Sequence, residues 1–378
     1  MRIEVPTPLP ADTTLPAEWN DDGVLSTPAL LVDLDVLAGN IHRMADFARR
    51  SGLDLRPHVK THKSLHVARM QLEAGAKGVC VAKVGEAEAF ADGGIGDITI
   101  AYPVVGKLKL ERLVALAQRT ELTLVADSEA VVAGYEEAAA ASGIRLGVLV
   151  EVDTGMHRVG LHPDSVLELV RRVTKSGSLW FKGLLTHAGH AHSASDPLGI
   201  ALVAREEARI LGGLREAIED AHIEVPVVSA GSTLTSPYLS AADGITEIRP
   251  GTYVYNDLRT VASWSCSYDQ LAVSALATVV SVDGGRVTLD AGNKTLTMTN
   301  DPIYRFGHVL GRPEIMLERL SEEHGVATML QGTIEVGDRV RVLPIHVCVW
   351  MDLQPEVYGI RGDLIVERIP VNAFRRSF

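Results

Sequence analysis

Between about residue 53 and residue 250 the chain alternates short β-branched runs with longer stretches of helical apolar spacing. Leu53–Val59, Gly78–Ala82, Ile98–Ala101, Leu122–Ala126, Leu146–Val152, Phe181–Thr186, Val225–Ser229 and Ile245–Arg249 predict eight strands. Glu129–Ser142, Ser165–Lys175 and Ala201–Ala221 predict helices between them. Eight β/α units in roughly two hundred residues predict an α/β fold, a (β/α)₈ TIM barrel. A doubly wound sheet would carry Gly-x-Gly-x-x-Gly after an early strand, and none is present. Ala29–Asp33 makes a ninth strand for eight places. After Ser263 the pattern changes to short strands, Val273–Val282, Arg286–Asp290, Thr328–Ile334, Arg339–Val347 and Tyr358–Arg361, with turns such as Asp283-Gly284-Gly285. These predict a second, mostly antiparallel β domain that Ala29–Asp33 is expected to join. The expected boundaries are 35–260 for the barrel, and 1–34 plus 261–378 for the β domain.

Barrels of this type carry their chemistry at the C-terminal ends of the strands. The first strand approaches its end as Asp54-Leu55-Arg56-Pro57-His58-Val59-Lys60, with Lys63 just beyond. As a strand it sends Asp54, Arg56, His58 and Lys60 to one face. Positive charge crowded around a lysine favours its free amine, the form that attacks a carbonyl. Asp153 to Arg158 follow the fifth strand, and His187, Gly189, His190 and His192 follow the sixth. The seventh ends in Gly231-Ser232-Thr233 and the eighth in Gly251-Thr252-Tyr253. Free N–H groups and hydroxyls at these last two ends are expected to hold a phosphate. Either motif alone is an ordinary turn; at adjacent strand ends they point to phosphate. An imine-forming lysine beside a phosphate cradle suggests pyridoxal 5′-phosphate, and a sugar-phosphate aldolase would need the same parts.

Composition narrows the field. A chain of 378 residues with 46% hydrophobic positions supports a large core, and no run approaches the ~20 apolar residues of a membrane span. Met1 to Leu15 lacks the apolar centre of a signal peptide, so cytoplasmic residence is expected. Cys80, Cys266 and Cys348 are too few and scattered for a disulfide framework. A net charge of −12 argues against nucleic acid as the main partner.

Several segments occur in an order that is similar to one family. They are Arg56 to Lys63, Gly231-Ser232-Thr233, Glu247 to Tyr253, Asp290-Ala291-Gly292-Asn293-Lys294 and His346-Val347-Cys348. From about Thr27 to Val371 the chain resembles the D-threonine aldolase and D-serine dehydratase family, within the alanine-racemase-like fold type III of pyridoxal-phosphate enzymes. The resemblance implies that Lys60 carries the cofactor, that Arg158 faces its ring or phenolic oxygen, and that Tyr253 joins the phosphate site. It also implies a head-to-tail homodimer. His58, His187 and His190 are candidate catalytic groups, with His192 nearby. His187 stands where some relatives carry tyrosine, and Ala82 where several have glutamine.

By spacing alone, a His-x-Cys pair in a strand is more often core packing than a metal site. Within the family, His346 and Cys348 are read as ligands on one face of a strand, where both reach one ion. Imidazole plus thiolate places zinc ahead of manganese or magnesium. Asp352 is a weaker candidate. The expected substrates are D-3-hydroxyamino acids. Dehydration to a 2-oxo acid and ammonia is the leading reading, and retro-aldol cleavage to glycine and an aldehyde the alternative. A racemase, with Tyr268 as second base, and a non-catalytic cofactor carrier are the other classes.

Overall fold

The computed structural model describes residues 25–329 and 332–378. The expected placement of residues 1–24 in the β domain lies outside the described residues. Contacts divide the chain into two compact units. One takes in Thr61–His66, Thr252–Phe374 and the described residues up to Ile41; the other takes in His42–Lys60, Val67–Gly251 and Arg375–Phe378.

The second unit is the barrel. Its strands are β2 (Asp54–Leu55), β3 (Val79–Val81), β4 (Asp97–Ile100), β5 (Glu121–Ala126), β6 (Leu146–Glu151), β7 (Leu179–Leu185), β8 (Val227–Ala230) and β9 (Glu247–Ile248). All run parallel, in the order β2-β9-β8-β7-β6-β5-β4-β3. A bridge between His58 and Cys80 joins the two ends of that order. The Lys77 and Cys80 amides donate there to the Leu55 and Pro57 carbonyls at 2.9 Å each. Every residue of β6 is buried, as expected of a parallel strand covered on both faces. Helix starts follow the local chemistry: Asp196 accepts the Gly199 N–H at 2.8 Å, with Pro197 at the first helical position.

The other unit contains β1 (Ala29–Asp33), β10 (Val273–Asp283), β11 (Arg286–Leu289), β12 (His308–Val309), β13 (Arg312–Leu320), β14 (Gly325–Thr328), β15 (Arg339–Leu343), β16 (Glu356–Arg361) and β17 (Leu364–Pro370). The sheet order is β11-β14-β13-β12-β15-β10-β1-β16-β17, and a further β10–β11 pairing closes part of it into an antiparallel ring. β1 lies in this sheet, between β10 and β16.

Three expected strands differ. Regular β2 is only Asp54–Leu55; backbone pairing continues past it, the Arg56 and His58 N–H groups donating to the Ile248 and Pro250 carbonyls at 3.0 and 2.9 Å, until Val59–Thr61 forms a 3₁₀ turn. The expected Thr328–Ile334 strand is instead Gly325–Thr328. Its partner β11 begins at Arg286, opposite Thr328, and residues 330 and 331 of the expected run lie outside the described residues. The expected Arg339–Val347 strand ends at Leu343. Pro344 follows, its carbonyl accepting the Leu258 N–H at 2.9 Å, and a helix begins at Val347.

Candidate active site

The barrel interior is polar from its N-terminal end upwards. Arg56 forks onto Asp97 at 2.6 and 3.0 Å, and its Nε donates to Glu247 at 2.7 Å. Gly78 makes room for it: a Cβ there would lie 2.4 Å from the guanidinium. Ser229 donates to Glu247 at 2.5 Å and accepts from Arg249 at 2.6 Å. Arg249 also donates to the Thr186 carbonyl, while its buried Nε has no partner. The expected crowding of Lys60 by Arg56 is therefore corrected. Both carboxylates that bind Arg56 neutralise it at the opposite end of the interior. Lys63 is likewise engaged, by Asp352 at 2.6 Å.

Above that network, Lys60 sits in the 3₁₀ turn, and its backbone N–H lies 3.4 Å from His58 Nδ1. Among the described residues its amine makes no hydrogen bond or ion pair. Burial, reinforced by the positive charges of Lys60, Arg249 and Arg158, holds the His58 and His187 imidazoles well below their usual range. Both are neutral at pH 7. Lys60, His58, His187 and Arg158 thus share one electrostatic neighbourhood, with Arg158 exposed on its loop. Burial pushes the Cys80 thiol up to about 11, which keeps it protonated. Burial also pushes Glu151 up to about 7, and one of its carboxyl oxygens has no partner.

His190 lies on the 3₁₀ turn Gly189–Ser193, its Nδ1 buried without a partner and its basicity lowered mainly by burial. Asp153 organises the neighbouring loop by accepting the Gly155 and His157 N–H groups at 2.9 and 3.0 Å. His192 is exposed.

The turn after β8 corrects the expected phosphate cradle in part. The Gly231 N–H is not free; it donates to Glu207 at 3.0 Å. Ser232 and Thr235 cap one another, at 2.9 and 3.2 Å. Gly231 has φ +82°, and a Cβ on it would lie 2.6 Å from Ser236 Oγ. That hydroxyl is buried with no partner. At the last strand end, Pro250 accepts the His58 N–H at 2.9 Å, just before Gly251. Thr252 and the buried Tyr253 form a 3₁₀ turn. A lone amine and an orphaned hydroxyl beside a glycine turn fit a ligand bearing a carbonyl and an anionic group.

The strand-face argument for the metal pair fails. His346 precedes the helix Val347–Asp352 and Cys348 lies inside it, so a strand's two-residue period does not bring them together. Cys348 Sγ donates to Thr61 at 3.3 Å and lies 3.8 Å from the Thr252 hydroxyl. Asp257, kept above its usual range by burial with His346 opposing, accepts the Val347 and Thr260 N–H groups at 3.2 and 2.9 Å. Among the described residues no three His, Cys, Asp or Glu side chains form a metal-holding group. Asp352 is held by Lys63, and the Ala82 N–H is taken by Glu86 at 2.7 Å.

Sequence reasoning placed Arg249 at a strand end without giving it a role, and it passed over Glu151, Glu207 and Ser236. Glu207 left a signal, a carboxylate within the apolar stripe Ala204, Ala208, Leu211. Ser236 left none.

A lysine-bearing barrel and a β unit in one chain define an alanine-racemase-like enzyme class. Residues 32–258 match the family model described as "Alanine racemase, N-terminal domain", and residues 272–360 the one described as "Putative serine dehydratase domain". The chain is 34% identical over 361 residues to D-threo-3-hydroxyaspartate dehydratase of a Delftia species, covering 90% of this chain and 95% of the relative. It is 31% identical to D-threonine aldolase of an Arthrobacter species, covering 91% of each. The crystal structure of D-threonine aldolase from Filomicrobium marinum superposes with a TM-score of 0.87 at 30% identity, over 93% of this chain and 96% of that one. The Delftia dehydratase structure gives 0.85 at 32%, over 92% and 97%. Two further structures of D-threo-3-hydroxyaspartate dehydratase carry a histidine-to-alanine change and a cysteine-to-alanine change two positions apart, the latter in the metal-free form. The chain belongs to the family of enzymes that joins an alanine-racemase N-terminal barrel to a serine-dehydratase domain. Among the described residues no helix is long and apolar enough to cross a membrane.

Proposed function

We propose that this chain is a pyridoxal-phosphate- and metal-dependent lyase of D-3-hydroxyamino acids, acting as a dehydratase that releases a 2-oxo acid and ammonia. The observation that carries the proposal is the partnerless Lys60 amine in the turn after a barrel strand, in the electrostatic neighbourhood of two neutral histidines. When bound, the cofactor supplies an electron sink for charge developing at Cα, and a divalent metal, zinc by donor chemistry, polarises the β-hydroxyl. Lys60 would hold the cofactor's carbonyl carbon, and its amine would serve as the base for the Cα proton. Ser236 Oγ, with the Ser232-Thr233 turn and Gly251-Thr252-Tyr253, would hold the phosphate. Arg158 is assigned to the cofactor's ring side. Neutral His58 and His187 add no charge beside Lys60, and each could relay a proton by taking one up at one ring nitrogen as the other gives one up. His190 is assigned to the substrate side.

His346 and Cys348 are assigned to the metal on the chemistry of the donor pair. The histidine and cysteine variants of D-threo-3-hydroxyaspartate dehydratase, with the same two-residue separation, support that assignment and favour dehydration. The D-threonine aldolase relatives keep retro-aldol cleavage as the second reading. Racemisation is disfavoured, because the Tyr268 hydroxyl is tied to Tyr304 at 2.7 Å and burial raises its pKa. A head-to-tail homodimer in the cytoplasm, without nucleic-acid or membrane partners, completes the proposal. The test is a product assay on D-serine, D-threonine and D-3-hydroxyaspartate, with and without chelator. A 2-oxo acid that disappears on chelation is expected, along with a borohydride-sensitive band near ~420 nm that Lys60→Ala lacks. Glycine plus aldehyde with no 2-oxo acid would sink the dehydratase reading.

A further inference from the structure

Glu207 lies midway along the helix Pro197–Asp220, on a face that otherwise buries Ile200, Ala204, Ala208 and Leu211. An ionisable group in such a stripe is costly unless it is hydrogen-bonded. The bond it makes is specific: Oε1 accepts the Gly231 N–H at 3.0 Å, inside the protein. Burial pushes its pKa up to about 7, opposed by the Gly231 N–H, Arg249, the Thr235 hydroxyl and the Ala188 amide, while Oε2 has no full hydrogen bond. Ala188 follows His187, and Gly231 opens the turn holding Ser232, Thr233 and the orphaned Ser236 hydroxyl. One carboxylate outside the strand ring therefore neighbours two loops at the strand ends. Gly231 itself has φ +82°, a conformation its surroundings must hold.

We propose that Glu207 is a positioning residue that sets the Gly231–Ser236 turn in its phosphate-holding shape. This rests on the assignment of that turn to the cofactor phosphate. Without the carboxylate, the Gly231 N–H is buried and unpaired, and the turn relaxes towards another acceptor. Capture of the cofactor's aldehyde by Lys60 does not depend on the turn. Loss of Glu207 should therefore weaken recognition of the phosphate and spare recognition of the aldehyde.

The experiment titrates apo-protein with pyridoxal phosphate and with pyridoxal, which has the same aldehyde and no phosphate, and follows the absorbance band. The readout is the ratio of the two Kd values. Glu207→Leu is expected to reduce the preference for the phosphorylated form by about 10–100-fold, the scale of a lost hydrogen bond to a charged group, while the pyridoxal Kd moves less than about threefold. Glu207→Gln, which keeps an acceptor for Gly231, should restore most of the preference. Should the leucine variant fail to fold, Glu207→Asp keeps the charge, withdraws it from Gly231, and should lower the ratio by about threefold or more. An unchanged ratio, or equal losses for both compounds, overturns the inference. Wild-type protein that takes up neither compound overturns the cofactor reading and this inference with it.

Discussion

The barrel interior encloses Arg56, Glu247, Ser229, Arg249 and Glu151, whereas the β unit packs Leu258, Val261, Leu271, Leu343 and Ile345 around a tyrosine pair. Apolar packing stabilises by area removed from water and is indifferent to pH. Buried charge stabilises only while every partner is present and correctly ionised. The barrel unit thus carries the more conditional interior, and this cluster of the β unit the more robust one.

Removing the guanidinium tests that contrast most severely. Arg56→Ala leaves Glu247 and Asp97 without their partner and is expected to cost about 3–5 kcal/mol in chemical denaturation. The loss should persist at high salt, because buried pairs are poorly screened. A loss below about 1 kcal/mol, the scale of an exposed pair, would break the comparison.

The two units should also respond to pH in opposite directions. Glu151 is raised to about 7, so its cost is absent below about pH 4.3, where both states are protonated, and complete above pH 7. Glu151→Gln should therefore gain stability over wild type by about 3 kcal/mol between pH 4.5 and pH 8. In the β unit, burial lowers His308 to about 4, so its cost appears as pH falls from about 6.5 to 4. His308→Leu should gain over wild type in that acid window instead. Parallel slopes in the two variants would remove the distinction.

The smallest effect sharpens the division of labour. Cys348→Ala should lower turnover by at least about tenfold while leaving the cofactor band and its affinity intact. A matching loss of cofactor uptake would show that the two sets of residues do not act separately.

Much of this was legible in the chain itself. The eight barrel strands lie within a few residues of their predicted places, because each is a β-branched run bounded by turn formers. Lys60, His187 and the Gly231 turn were singled out by asking what stands at strand ends. The misses share a cause. Cys348 appeared to lie on a strand because its segment is rich in valine, yet Pro344 ended the ladder and a helix followed. Glu207 lies 24 residues before the amide it holds, and no local pattern announces that pairing.

Local periodicity and strand-end chemistry therefore determined the architecture and the lysine, since both depend on neighbours in sequence. Which charges are neutralised was decided only when the barrel closed, bringing Asp97 and Glu247 to Arg56 from 41 and 191 residues away. Coulomb energy depends on separation in space and on burial, and neither can be read along a chain.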